Sequence, residues 1–109
     1  MCSYIHLSHC PNGTIKWCKT CKKFSVIYNN LSMCFSSKAF RQFKSNLADC
    51  YEFHVHISFP RENQDIFFET KEAGLNLRFS LDEIGELLSL LQEAELKFLW
   101  SQPVKGAPL

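Results

Sequence analysis

Apolar and polar side chains alternate through the first third of the chain, which predicts short β-strands. The apolar positions of two consecutive runs are Phe24, Val26, Tyr28, Leu31, Met33 and Phe35. A period of two residues is typical of a strand with one buried face. With residues 4–10 and 14–18, these runs predict four strands, joined by turns at 12–13 and 29–30 among others. At the Asn-Gly pair of 12–13 we expect a type I′ turn, because this pair tolerates positive φ at both central positions.

The apolar spacing changes to three and four residues in two later segments, which predicts two helices. In the first, Ser36-Ser37 offers an N-cap hydroxyl, and the apolar stripe within residues 37–50 is Phe40, Phe43, Leu47 and Cys50. In the second, Ser80 and Glu83 form a capping box, in which each side chain satisfies the other residue's backbone amide. The stripe that follows is Ile84, Leu87, Leu88, Leu91, Ala94 and Phe98.

Three further strands are predicted between the helices, at 53–59, 66–70 and 75–79, with turns at 60–64 and 71–74. In the strand at 53–59, His54 and His56 would share the polar face. Residues 102–109 contain two prolines and a glycine and are predicted to form a flexible tail.

The two predicted helices follow similar sequences. When the chain is shifted by 44 residues, five identities fall within 31–47: Leu31/Leu75, Phe35/Phe79, Ser36/Ser80, Ser45/Ser89 and Leu47/Leu91. Internal duplication would explain this match. The alternative is that any two segments in which an amphipathic strand leads into a capped helix have similar sequences. We predict one α+β domain over residues 1–101, with two βββα-like halves that form a two-layer sandwich of sheet and helices.

Composition and charge narrow the class of protein. The chain has 109 residues, 46% hydrophobic and 21% charged, which fits one globular domain. The formal charge of +1 disfavours a nucleic-acid binder, although Lys16, Lys19, Lys22 and Lys23 cluster around aromatic residues. Glutamates of the last helix offset that cluster. Neither an apolar run of ~18 residues nor an export signal is present, so we expect a cytoplasmic protein without membrane contact.

The cysteines supply the strongest candidate site. Six are present, at positions 2, 10, 18, 21, 34 and 50, and in a reducing cytosol thiols stay free or bind metal. Cys18 and Cys21 are spaced so that two thiolates can reach one zinc ion from a tight turn. Of Cys2, His6, His9 and Cys10, we predict His9 and Cys10 as the remaining ligands, because the hairpin would fold them beside Cys18. The alternative is that Cys10 and Cys18 are packing residues or surface thiols.

Other chemistry is less well supported. A redox dithiol at Cys18 and Cys21 would need a helix N-terminus to stabilise its thiolate, whereas a strand follows here. His54 and His56 could ligate a metal or act as acid and base, but a solvated strand face explains them more simply. The sequence contains no phosphate-binding loop, dinucleotide fingerprint or zinc-protease motif. We therefore predict no catalytic residues and favour a non-catalytic protein over an enzyme, with thiol redox chemistry at Cys18 and Cys21 as the alternative.

One run of residues resembles a known family. The order Asn12-Gly13-x-Ile15-x-x-Cys18-x-x-Cys21, then Tyr28-Asn29-Asn30-Leu31, then Phe35-Ser36, is similar to small single-domain bacterial proteins of unknown function. The similarity spans about residues 2–99 and includes Leu75-x-Leu77-x-Phe79-Ser80-x-x-Glu83. It implies an α+β fold and a bacterial cytosolic setting, and it assigns no activity.

These observations lead to two functional hypotheses. The first is a non-catalytic module that binds a partner protein and holds a structural zinc ion at its N-terminal hairpin. The second is a thiol-dependent redox or metal-handling protein that uses Cys18 and Cys21. A homodimer formed through an apolar face around Phe67 is a further possibility.

Overall fold

The fold combines a four-stranded antiparallel sheet with two helices and a small hairpin, which confirms the predicted α+β class. The structure, a computed structural model, describes residues 3–56, 66–69 and 74–101. In chain order the elements are β1 (Tyr4–Cys10), β2 (Gly13–Cys18), β3 (Lys23–Tyr28), β4 (Leu31–Phe35), α1 (Ser37–Val55), β5 (Ile66–Glu69), β6 (Asn76–Phe79) and α2 (Leu81–Ser101). Strands β1 to β4 lie side by side in sequence order, and β5 pairs with β6.

Both helices pack on one face of the four-stranded sheet. Helix α2 lies against β1 and β2, helix α1 lies against β3 and β4, and the two helices contact each other. The buried strand residues between the layers include Ile15, Trp17, Phe24, Val26 and Tyr28. This face is apolar because every second residue of each strand points to the same side. Within the described residues, neither helix combines the length and apolar character needed to cross a membrane.

Helix α1 is longer than the sequence pattern predicted. It continues through Val55 and ends at His56, so the predicted strand at 53–59 is wrong for residues 53–56. The apolar alternation there was misleading, since Phe53 is 69% exposed and buries no strand face. The rest of that strand, the turn at 60–64 and the tail at 102–109 lie outside the described residues. The strands predicted at 66–70 and 75–79 are confirmed over 66–69 and 76–79.

The first hairpin is present, but its turn differs from the predicted one. Cys10 pairs with Gly13, so Pro11 and Asn12 are the turn residues. The ring of proline holds φ near −65°, which excludes a type I′ turn. Gly13 is needed for a different reason, because a Cβ at this position would lie 2.6 Å from the carbonyl oxygen of Ile27. In the second predicted turn, Asn29 adopts a φ of 53°.

Each helix follows a two-stranded hairpin and begins at a serine cap. The Ser36 hydroxyl accepts a hydrogen bond from the Ala39 amide at 3.2 Å. The Ser80 hydroxyl accepts from the Glu83 amide at 3.1 Å, and the Glu83 carboxylate accepts from the Ser80 amide at 2.8 Å. The predicted capping box is therefore confirmed. Duplication as the origin of the two units stays a prediction.

Candidate functional site

The turn between β2 and β3 brings Cys18 and Cys21 together, and we call residues 18–22 the thiol turn. Cys18 is buried at the end of β2, whereas Cys21 is exposed. The Cys21 amide donates a hydrogen bond to the Cys18 sulfur at 3.3 Å, and the Lys22 amide donates to the Cys18 carbonyl at 2.9 Å. Lys22 has a φ of 59°, which allows the chain to reverse into β3. An amide directed at a sulfur stabilises negative charge on it, as a metal-bound thiolate requires.

The other two predicted ligands lie at the opposite end of the hairpin. Cys10 pairs with Gly13 and His9 with Thr14, whereas Cys18 pairs with Tyr4. Gly13 and Cys18 lie five positions apart in β2, which corresponds to about 16 Å along a strand. The hairpin does not fold His9 and Cys10 beside Cys18, since the residue that follows the turn is Gly13. The predicted position of His9 and Cys10 beside Cys18 is therefore wrong, while their role as metal ligands stays a prediction.

The described residues do not form a complete metal site. Among those residues, no three His, Cys, Asp or Glu side chains lie close enough together to hold a metal ion. Cys2, which was one of the sequence candidates, lies outside the described residues. The thiol turn thus offers two sulfur atoms, and zinc binding itself stays a prediction.

A cysteine and a histidine meet on α1, in a contact that differs from the predicted placement of His54 on a strand. The sulfur of Cys50 lies 3.7 Å from Nδ1 of His54, and the same nitrogen lies 2.8 Å from the Cys50 carbonyl oxygen. Burial raises the pKa of the Cys50 thiol, which favours the neutral form over a nucleophilic thiolate. Nε2 of the exposed His56 lies 3.9 Å from a Glu52 carboxylate oxygen. The predicted placement of both histidines on one strand face is wrong, because they belong to the end of a helix.

A second polar cluster connects α2 to the sheet. The Tyr28 hydroxyl donates to the Glu86 carboxylate at 2.6 Å, and the Asn12 side-chain amide donates to the same oxygen at 2.9 Å. The hydrogen bond from Tyr28 is the main reason that the pKa of Glu86 lies below its ordinary value. Burial, followed by the hydrogen bond to Glu86, raises the pKa of Tyr28. Tyr28 and Glu86 are 58 positions apart, so a motif search has no local signal for this contact.

The C-terminal part of α2 carries exposed apolar side chains. Leu96 and Leu99 are each 56% exposed and Trp100 is 82% exposed. Their spacing of three and four residues places them on neighbouring parts of the helix surface, and we call these three residues the apolar helix end. Phe98 lies on the inner side, where its ring packs against Trp17 at 4.6 Å and Phe24 at 4.8 Å between centroids. These two contacts attach the helix to the sheet at Phe98, between the exposed residues.

The side of the four-stranded sheet away from the helices is the open sheet face. Its central row is His6, Lys16, Ser25 and Cys34, which pair directly across the four strands. The row next to it along the strands, Ile5, Trp17, Phe24 and Phe35, faces the helices. The central row of the open sheet face is therefore more polar than the largely aromatic row beside it on the inner face.

The comparison with known families covers nearly the whole chain. A model described as a family of unknown function, DUF6686, matches residues 1–104. The chain belongs to this family. The matched range contains both the thiol turn and the apolar helix end, and the family description gives no activity. No curated protein and no solved structure matches the chain. The expected membership in a family of unknown function is confirmed, while the bacterial setting and the N-terminal motif stay predictions.

Proposed function

We propose that this DUF6686 protein is a non-catalytic module that binds a partner protein through the apolar helix end. The observation that carries the proposal is the exposure of Trp100, 82% of whose surface is accessible. Large aromatic side chains contribute most of the binding energy in many interfaces, and tryptophan is enriched among them. The partner we propose is a protein with an apolar pocket that receives the indole ring.

The surroundings of Trp100 support a protein partner. Leu96 and Leu99 extend the apolar surface, and the ion pair between Lys97 and Glu93, 3.7 Å apart, borders it. A central apolar anchor with a polar rim is the usual anatomy of an interface. Because Phe98 is held against the sheet aromatics, little ordering of the helix would oppose binding.

The non-catalytic assignment draws on how the polar clusters are used. Cys50 is held as a neutral thiol, and Glu86 accepts hydrogen bonds from Tyr28 and Asn12 that connect two elements. Both groups thus have structural contacts that account for their positions.

We include a cytoplasmic location of the protein in the same proposal.

The test compares the wild type with Trp100→Ala and with Phe53→Ala, which also removes an exposed aromatic ring but from α1. Each purified protein is immobilised and exposed to lysate from the source cells, and every recovered protein is then purified and titrated calorimetrically. We expect one partner whose affinity falls at least tenfold with Trp100→Ala and stays unchanged with Phe53→Ala. Equal binding by the three proteins would overturn the proposal. Sedimentation at several concentrations distinguishes self-association from binding to another protein.

A second candidate function, metal binding or thiol redox chemistry at the thiol turn, is favoured by the amide of Cys21 that points at the Cys18 sulfur. Elemental analysis of wild type, Cys18→Ser and Cys21→Ser is compared with Cys34→Ser, which changes an exposed cysteine on β4. Zinc at one per chain, or one per two chains, that is lost in the first two variants supports a structural site.

If the purified protein contains no metal, thiol redox chemistry is the remaining alternative for the thiol turn. In that reaction glutathione disulfide oxidises both thiols to a Cys18–Cys21 disulfide and is itself reduced to two glutathione molecules. The burial of Cys18 opposes this reaction because attack requires access to a sulfur. Mass spectrometry after a glutathione redox titration measures it, and thiols that stay reduced in metal-free protein would exclude both forms.

A further inference from the structure

The distribution of charge along the chain differs sharply from its near-neutral total. The first acidic residue is Asp49, so residues 1–48 carry no carboxylate side chain, although they include six lysines and one arginine. All four strands of the main sheet lie within this segment. The open sheet face is therefore built entirely from residues that are neutral or basic.

The strand register places specific side chains on that face. Three cross-strand rows point away from the helices: Tyr4 and Lys23, which flank the buried Cys18; His6, Lys16, Ser25 and Cys34; and His9, Thr14, Ile27 and Ser32. Lys19 and Lys22 are exposed on the thiol turn, which adjoins the first row. Four lysines thus lie on or beside one end of the open sheet face.

The glutamates that offset these lysines in the sequence total lie elsewhere. Helix α2 packs on the opposite face of the sheet. Its Glu86 side chain accepts from Tyr28 and Asn12, and its Glu83 side chain accepts from Asn29 at 3.3 Å, at the turn end of the strands. Among the described residues, the sheet separates the carboxylates of α2 from these lysines, so the lysines make the field over the open sheet face positive.

An aromatic ring accompanies this charge. Tyr4 is 50% exposed, and the ammonium group of Lys16 lies 5.6 Å from the centroid of its ring. The short side chains Ser25, Thr14 and Ser32 form much of the remaining surface, which leaves it shallow. Four strands at about 4.8 Å spacing span roughly 14 Å, enough for one extended nucleic-acid strand.

We infer that the open sheet face binds single-stranded nucleic acid, a function beyond the proposed protein-binding role and on a different surface. A base stacks on the Tyr4 ring while lysines of the same end neutralise the neighbouring phosphates. An acidic peptide would also satisfy the lysines, but it has no group that requires the exposed ring beside them. Stacking and charge without base-edge contacts give binding that tolerates many sequences and weakens with salt.

The test measures fluorescence anisotropy of a fluorescein-labelled 20-nucleotide oligouridylate with the full chain in low salt. We expect Lys16→Glu/Lys23→Glu to weaken binding at least tenfold. Tyr4→Ala should weaken it about fivefold or more, whereas Tyr4→Phe keeps the ring and should retain affinity. If the four lysines each contact one phosphate, log affinity should fall against log salt with a slope of about −2 to −3.

The matched control is Lys38→Glu/Arg41→Glu, which makes the same change in charge on exposed residues of α1, in the other layer. Affinity within about twofold of wild type is expected for this control. An equal loss in both double variants would show that only total charge matters, and would overturn the inference. Tighter binding of an oligoglutamate peptide than of the oligouridylate would overturn it in favour of an acidic protein. Circular dichroism melts confirm that each variant is folded.

Discussion

The two helices begin in the same way and occupy different places in the fold. After the 44-residue shift, Leu47 of α1 and Leu91 of α2 are equivalent, and both are fully buried. One position earlier, Asn46 is exposed whereas Leu90 is buried. Helix α2 is in contact with β1, β2, β6 and α1, so it must bury a wider surface. A shared local sequence therefore specifies a helix and its core stripe, while the position of that helix in the fold decides how much more is buried.

The caps show the same difference. Ser36 is exposed and makes one capping hydrogen bond, whereas Ser80 is buried and belongs to a reciprocal pair with Glu83. A buried amide that loses its partner also loses access to water, so its loss costs more than the loss of an exposed one. We expect the stability of the fold to be more sensitive to α2 than to α1 at equivalent positions.

The largest expected effect comes from the position where the helices differ most. Leu90→Ala should lower the free energy of unfolding by about 2–5 kcal/mol, because it removes buried methyl groups and leaves a cavity. Asn46→Ala, at the equivalent exposed position of α1, should change it by no more than about 0.5 kcal/mol. Urea denaturation followed by circular dichroism measures both values. Similar losses in the two variants would contradict the unequal roles of the helices.

A smaller difference is expected at the caps. Ser80→Ala should cost about 1–2 kcal/mol and Ser36→Ala about 0.5–1 kcal/mol, since only the first breaks a buried reciprocal pair. Thermal unfolding of the two variants side by side gives the comparison. Ser45→Ala, at an exposed position within α1, controls for the general effect of replacing serine in this helix. A larger cost at Ser36 would mean that burial of the cap is not what matters.

Features encoded by neighbouring residues could be predicted from the sequence. The strands, the capping box and the stripe of α2 all depend on patterns within about 20 residues. The end of α1 could not be predicted in this way, because Phe53 and Val55 fit a strand period equally well. The choice between helix and strand here depends on whether Phe53 finds a core to pack against. In the structure it does not, and its side chain is exposed.

The candidate sites show the same division between local and distant information. The Cys18–Cys21 spacing and its turn are local and were predicted, but the assignment of His9 and Cys10 required the register of the hairpin. The contact between Tyr28 and Glu86 and the separation of lysines from glutamates both depend on which elements meet. The total charge of the chain concealed that separation.

The smallest expected effect concerns the hydrogen bond from Tyr28 to Glu86, which connects α2 to the sheet. Tyr28→Phe removes the hydroxyl that donates it. The hydrogen bond from Tyr28 keeps the pKa of Glu86 below its ordinary value of 4.5, so folded Glu86 binds fewer protons than unfolded Glu86. Its contribution is present above about pH 4.5 and is lost as pH falls through the lower pKa of the folded state. At neutral pH we expect a loss of about 0.5–1 kcal/mol, reduced by the access of Glu86 to water.

Tyr28 limits this contribution at high pH. Its pKa is raised by burial and by Glu86, so the stability it adds is present below its ordinary pKa of 10.0 and decreases as pH rises above that value. The difference in unfolding free energy between wild type and Tyr28→Phe should therefore be greatest between about pH 5 and 10. Urea denaturation at closely spaced pH values measures it, with Tyr51→Phe as a control on α1. A difference that stays constant from pH 3 to 7 would contradict the role of Glu86 and reduce the contrast between the helices to apolar burial alone.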